Sequence, residues 1–151
     1  MNREFRLDKE VKVESSNPRF VPFLTFHGRA EEAMNFYAEI LPGAKIESLI
    51  RFEKGERGDE GKVLFGEMSF SGQKIMFLDI ETGVECPEFS WATSFYLECK
   101  DENEFDTVFT SLAEDGIVMM GPEAILHFQR VAWITDKFGV AWQPVLKYAQ
   151  S

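Results

Sequence analysis

Residues 19–43, RFVPFLTFHGRAEEAMNFYAEILPG, pass from one structural period to another and decide how the rest of the chain is read. Arg19 to Phe26 is apolar and rich in Phe and Val, which predicts a strand, and Gly28 breaks it. Ala30, Ala33, Met34, Phe36, Tyr37, Ile40 and Leu41 then recur at helical spacing until Pro42-Gly43 stops the run. From Ala44 the period changes again, and Lys45 to Phe52, Val63 to Phe70 and Lys74 to Ile80 predict three strands. A charged, Gly-rich loop from Glu53 to Gly61 separates the first two, and Ser71-Gly72 is the turn of a hairpin between the others. The order is βαβββ.

That order returns further along. After a loop holding Gly83, Pro87 and Trp91, Thr93 to Cys99 predicts a strand. Asp101 is placed to cap the next helix, with Glu104 completing an approximate capping box. Phe105, Val108, Phe109 and Leu112 form the apolar stripe of that helix, and Gly116 ends it. Shorter strands are expected at Ile117 to Met120, Arg130 to Thr135 and Val140 to Leu146, with Asp136-Lys137-Phe138-Gly139 as the turn before the last. Spacing supports a repeat: Gly43 and Gly116 are 73 apart, Phe36 and Phe109 keep that offset, and Gly72 and Gly139 are 67 apart. The second copy has lost about six residues between its helix and its final hairpin. The expected fold class is α+β: two tandem βαβββ modules, about 19–82 and 92–148, within one domain over 19–151. Each single helix leaves one curved, mixed sheet face bare, and pairing those faces would enclose a central cavity suited to a small molecule.

Composition bounds the partners. The chain has 151 residues, 44% hydrophobic and 28% charged, as expected of a globular domain with a sizeable core. Sixteen Lys and Arg stand against 26 Asp and Glu, a net charge of −10. Such a surface disfavours nucleic acid and anionic membranes, which need a cationic face, and leans towards a cationic ligand. Cys86 and Cys99 have no metal-binding or redox spacing and read as reduced thiols. No signal peptide and no apolar run of spanning length is present, so a cytoplasmic location is expected. Residues 1–18 end in Ser15-Ser16-Asn17-Pro18 and read as an extension, with Glu10 to Val13 as a short edge strand; it either adds a strand to a dimer or stays disordered.

The motif Phe23-Leu24-Thr25-Phe26-His27-Gly28, with Ala30-Glu31-Glu32-Ala33 and Phe36-Tyr37, resembles the opening of PhnB-like proteins. The resemblance continues through Gly66 to Asp79 and through Trp133-Ile134-Thr135-Asp136-Lys137-Phe138-Gly139-Val140-Ala141-Trp142-Gln143, covering about Arg19 to Lys147. These proteins belong to the vicinal oxygen chelate superfamily, with glyoxalase I and the bleomycin-resistance proteins. Some carry a 3-demethylubiquinone-9 3-methyltransferase label. The resemblance implies paired βαβββ modules and a homodimer. Enzymes of the superfamily hold a divalent metal with His, Glu or Gln from the first and last strands of each module. Laid on this chain, that pattern falls near Pro22, near Met76, near Ser94 and at Gln143; the offset of 67 independently pairs Met76 with Gln143. Proline and methionine do not serve a hard or borderline cation, a serine hydroxyl is weak, and one amide oxygen cannot hold the ion alone. No metal and no other cofactor is therefore expected.

By strand alternation Ser94, Tyr96 and Glu98 face the cavity, away from Phe95, Leu97 and Cys99. Met76, Leu78 and Gln143 share that orientation, and Glu67 and Trp133 are expected neighbours. These eight residues are the candidate ligand-binding set, and a carboxylate among them could act as a general base. A mixed metal site of His27, Glu67, Glu98 and His127 can be drawn. His27, however, is expected to serve the Gly28 turn, and His127 to lie in an aromatic loop beside Phe128. Cys99 is expected in the core rather than as a nucleophile. Methyl transfer finds little support, because His27-Gly28-Arg29-Ala30 has a single glycine and no cofactor-binding turn. The expected function is metal-independent, dimeric small-molecule binding. An enzyme of lyase, isomerase or dioxygenase type with a displaced metal site, and a structural role with a filled cavity, are the alternatives.

Overall fold

The computed structural model describes residues 19–149, which divide into two compact units with the boundary between Cys86 and Pro87. The first unit contains β1 (Phe23–Phe26), α1 (Ala30–Ile40), β2 (Lys45–Arg51), β3 (Val63–Phe70) and β4 (Gln73–Asp79). The second contains β5 (Ser94–Cys99), α2 (Glu102–Ala113), β6 (Ile117–Ile125), β7 (Phe128–Thr135) and β8 (Ala141–Lys147). Each unit is a four-stranded mixed sheet, ordered β1-β4-β3-β2 and β5-β8-β7-β6. The first strand pairs parallel with the last, and the remaining pairs are antiparallel. The α+β class and the doubled βαβββ order are thus those of the protein. Registers repeat as well: Phe23 lies opposite Met76 and Tyr96 opposite Gln143, which reproduces the offsets of 73 and 67.

Three strand boundaries differ from expectation by more than one residue. The first strand shortens to Phe23–Phe26, because Pro22 has no N–H for a ladder, although its carbonyl still accepts from Met76 N at 2.9 Å. β6 and β7 run on to Ile125 and from Phe128, so the expected aromatic loop is a hairpin whose tip is only Leu126-His127. Leu126 takes a positive φ of 53° there, a conformation for which the sequence offers no glycine signal. The repeat loses its residues in the connection between the second and third strands, 52–62 in the first unit against 126–127 in the second. The proposed edge strand Glu10 to Val13 lies outside the described residues.

Each helix covers one sheet face. Ala30, Ala33, Met34, Tyr37 and Leu41 are buried at helical spacing along α1. Tyr37 meets Phe77 at 6.4 Å between ring centroids, and Phe77 stacks on Phe26 at 5.8 Å. Gly66 in β3 lets the helix come close, since a Cβ there would stand 2.6 Å from Met34 Sδ. On α2 the buried stripe is Phe105, Val108 and Leu112, while Phe109 stacks on Phe105 at the edge and stays half-exposed. Fully burying a large side chain contributes about 1.5–3 kcal/mol, so each stripe is a main source of its unit's stability.

The helices start in different ways. Asp101 caps α2 locally, its carboxylate accepting from Glu104 N at 2.8 Å. At α1, Arg29 occupies the cap position without a side-chain capping bond, and the acceptor comes from β4, the strand beside β1. Asp79 Oδ1 accepts from Gly28 N and Ala30 N, both at 2.9 Å, and Oδ2 accepts from Val63 N at 2.9 Å. Asp79 is itself buried. Removing its carboxylate leaves three backbone donors short of a partner, at about 1–3 kcal/mol for each one that water cannot reach. Asp79→Ala is therefore expected to lower the unfolding free energy by about 3 kcal/mol or more in urea denaturation. Asp106→Ala, which breaks the exposed pair with Arg130, is expected to cost less than about 1 kcal/mol. Equal losses in the two variants would remove the special role of Asp79.

Candidate functional site

The site follows from which sheet face each helix leaves uncovered. In the first unit Phe26, Gly66 and Phe77 face α1, so alternation places Phe23, Glu67, Met76 and Leu78 on the other face. The register joins them: Phe23 opposite Met76, and Met76 opposite Glu67. Glu67 is only 5% exposed, and its Oε1 accepts from Lys74 Nζ at 2.8 Å. Lys74 shares this face and was not singled out in the sequence. Phe23 contacts Phe65 edge-on at 6.4 Å.

In the second unit the Arg130 guanidinium lies over the Phe105 ring of α2 at 5.6 Å, which puts Arg130, Ala132 and Ile134 on the helix side. Leu97, Cys99, Trp142 and Leu146 are buried, and Phe95 packs on Trp142 at 5.1 Å. The helix-free face therefore holds Ser94, Tyr96, Glu98, Gln143 and Trp133. Tyr96 is opposite Gln143, and the pairs Val131 with Val145 and Ile134 with Trp142 set Trp133 opposite Gln143 on its other side. Gln143 Nε2 donates to Ser94 Oγ at 2.7 Å. Glu98 pairs with Lys147 at 2.7 Å at the exposed end of the face, and that carboxylate raises the Lys147 ammonium above the usual lysine range. Tyr96 is exposed and meets Phe128 at 6.3 Å, while Trp91 stands edge-on to Trp133 at 5.5 Å.

Thus the structure joins Glu67 with Met76 in the first unit, and Ser94, Tyr96, Gln143 and Trp133 in the second. Leu78 is on the Met76 face one step along β4, and Glu98 is two residues beyond Tyr96 on β5. Both candidate carboxylates are engaged by lysines. An open depression of about 570 Å³ elsewhere, lined by residues 49–54 with Glu60 and Gly61, shares none of the eight.

At the positions of the superfamily's metal ligands, Pro22 and Met76 present no oxygen or nitrogen side-chain donor, and Ser94 and Gln143 are bonded to each other. Those residues do not fit a divalent ion. Among the described residues, no group of three or more His, Cys, Asp and Glu comes together to hold one. His27 and His127 are both exposed. Cys99 is 3% exposed, and burial, with Glu104 and Asp101 adding to it, pushes its thiol up to about 12.

The doubled βαβββ architecture is that of the glyoxalase and bleomycin-resistance proteins. A glyoxylase/bleomycin resistance protein/dioxygenase domain from Frankia superposes with a TM-score of 0.61 at 16% identity, over 91% of this chain and 96% of that one. Within that fold, the family model described as 3-demethylubiquinone-9 3-methyltransferase matches residues 18–145, and the chain belongs to this PhnB-like family. A PhnB protein from Bacillus cereus is 36% identical over 85% of this chain and 99% of its own, with a TM-score of 0.79. A Pseudomonas aeruginosa protein is 26% identical over 87% and 98%, with a TM-score of 0.77. No curated protein matches the chain. No helix among the described residues is long and apolar enough to cross a membrane.

Two outcomes test this geometry. The pair Glu67–Lys74 is largely buried, so Glu67→Leu alone strands an ammonium group and is expected to cost about 2 kcal/mol, while Glu67→Leu with Lys74→Met recovers most of the loss. A double variant as unstable as the single one would show that the two do not act as a pair. A thiol reagent at pH 8 is expected to label one cysteine of the native protein, Cys86, and both after denaturation. The Cys99 shift has a defined sign. Below about pH 9 the thiol is neutral in both states; between about pH 9 and 12 the unfolded chain loses the proton first, and stability falls across that window.

Proposed function

We propose that this protein is a homodimeric small-molecule-binding protein that works without a metal ion, its ligand held in the cavity between paired modules. The observation that carries the reading is the composition of the two helix-free rows, Phe23–Met76–Glu67 and Tyr96–Gln143–Trp133. Aromatic and thioether surface with a few placed polar groups is the usual lining of a small-molecule site. It offers contact area and hydrogen bonds.

Binding is favoured over the methyl transfer in the family's description. A nucleotide-type cofactor is held by free backbone N–H groups at a glycine turn leading into a helix. Here Gly28 N and Ala30 N already donate to Asp79, so the one strand-to-helix turn with a glycine has its donors in use. Binding is also favoured over an acid–base enzyme, since Glu67 and Glu98 each face a lysine rather than an open reaction site.

The test is elemental analysis of untagged protein purified without added ions, paired with native mass spectrometry. The expected result is a dimer with substoichiometric metal that carries, or takes up from a metabolite extract, an organic mass. About one divalent ion per chain, lost on replacing Glu67, would overturn metal independence and favour a displaced-metal enzyme. A monomer, or a dimer that takes up no compound, would overturn the corresponding part of the reading.

A further inference from the structure

Of the two indoles on adjoining strands of the second sheet, one has its N–H answered and the other does not. Trp142 Nε1, on the helix side, donates to Asp136 Oδ2 at 3.0 Å. Trp133 Nε1, on the helix-free side, is buried and donates to nothing. Native structures pair nearly all buried donors, and an exception at a candidate site points to an absent acceptor. Gln143, its neighbour in register, does not accept from it; the Gln143 Nε2 donates to Ser94 Oγ.

We infer that the second unit carries a subsite for a flat, ring-bearing small molecule with an oxygen acceptor such as a carbonyl, which takes the Trp133 indole N–H. This rests on the small-molecule-binding reading and adds the chemistry that the ligand must present. The ring requirement comes from the neighbours. Trp91 stands against Trp133 with an interplanar angle of 84°, and Tyr96, on the other side of Gln143, is 56% exposed. Aromatic walls favour a flat partner, by edge or face contact. The size requirement comes from the burial of Nε1, which a flat protein surface cannot reach and a small inserted molecule can. Trp91 is the outer wall: it is 61% exposed and lies in the connection 80–93, which has neither helix nor strand. In the proposed complex Trp91 swings aside to admit the ring.

Coumarin and naphthalene separate the terms, being fused bicyclic rings of similar size of which only coumarin has a carbonyl. The three tryptophans give three indole N–H signals in a ¹H–¹⁵N spectrum of the full chain, and Trp133→Phe identifies one by its loss. Coumarin is expected to move the Trp133 proton downfield, and naphthalene is not. Trp133→Phe, which keeps a flat ring, is expected to weaken coumarin about fivefold and to leave naphthalene unchanged. A Trp133 signal that coumarin leaves in place, or that both probes move alike, overturns the subsite. If coumarin raises the melting temperature without moving that signal, the subsite fails and the binding reading stands. If neither probe binds and native mass spectrometry retains nothing, both fail.

Discussion

The buried carboxylate of Asp79 is the constraint on which the first unit depends. It sits at the end of β4, opposite Phe26 of the parallel β1, and gathers N–H groups from the Gly28 turn, the start of α1 and the start of β3. Those segments are 49 to 51 and 16 residues away in sequence, so no local preference brings them together. A carboxylate with two oxygens can answer all three donors, and an ionised acceptor makes stronger hydrogen bonds than a neutral one. The bonds set where α1 begins over the sheet, and hence which face it covers.

The second unit reaches the same topology with the work divided. Asp101 caps α2 from its own N-terminus, and Asp136 closes the turn before β8, accepting from Phe138 N and Val140 N and holding Trp142 Nε1. In both units the helix face supplies the packing, with Phe77 and Phe105 completely buried. The opposite face also buries apolar groups, Phe65 in one unit and Val131 and Val145 in the other, but it carries polar groups beside them: an ion pair in the first unit, and a serine–glutamine bond next to an unanswered indole in the second.

What was legible in the sequence follows from how local its physics is. The stripe of α1, the Ser71-Gly72 turn and the Asp101 cap each complete their signal within a few residues, and each appears where the pattern puts it. The offsets of 73 and 67 were legible because both copies keep glycine at equivalent turns. The extension of β6 and β7 was hidden: Gly121 and Pro122 end the strand pattern, yet pairing resumes past them through bulges at Glu123 and Ile125, and the tip turns at Leu126 without a glycine. The role of Asp79 was hidden for the opposite reason, since its partners are made by tertiary structure alone. On the site, alternation alone separated Ser94, Tyr96 and Glu98 from their buried neighbours. It could not show that Lys74 reaches diagonally across to Glu67, or that Gln143 turns to Ser94 and not to Trp133.

The repeat also lets the helix-free faces of the two units be compared position by position. Met76 and Gln143 occupy equivalent places in their sheets, as do Phe23 and Tyr96, while Glu67 and Trp133 are the neighbours of Met76 and Gln143 on the adjoining strand. The paired positions are unlike: thioether against amide, phenyl against phenol, carboxylate against indole. The first row offers an ion pair beside apolar surface, and the second offers aromatic rings, an amide and a donor without a partner. Because a helix supports each row from behind, these differences arise without disturbing either core, and the same fold can therefore change what it recognises while keeping how it is built.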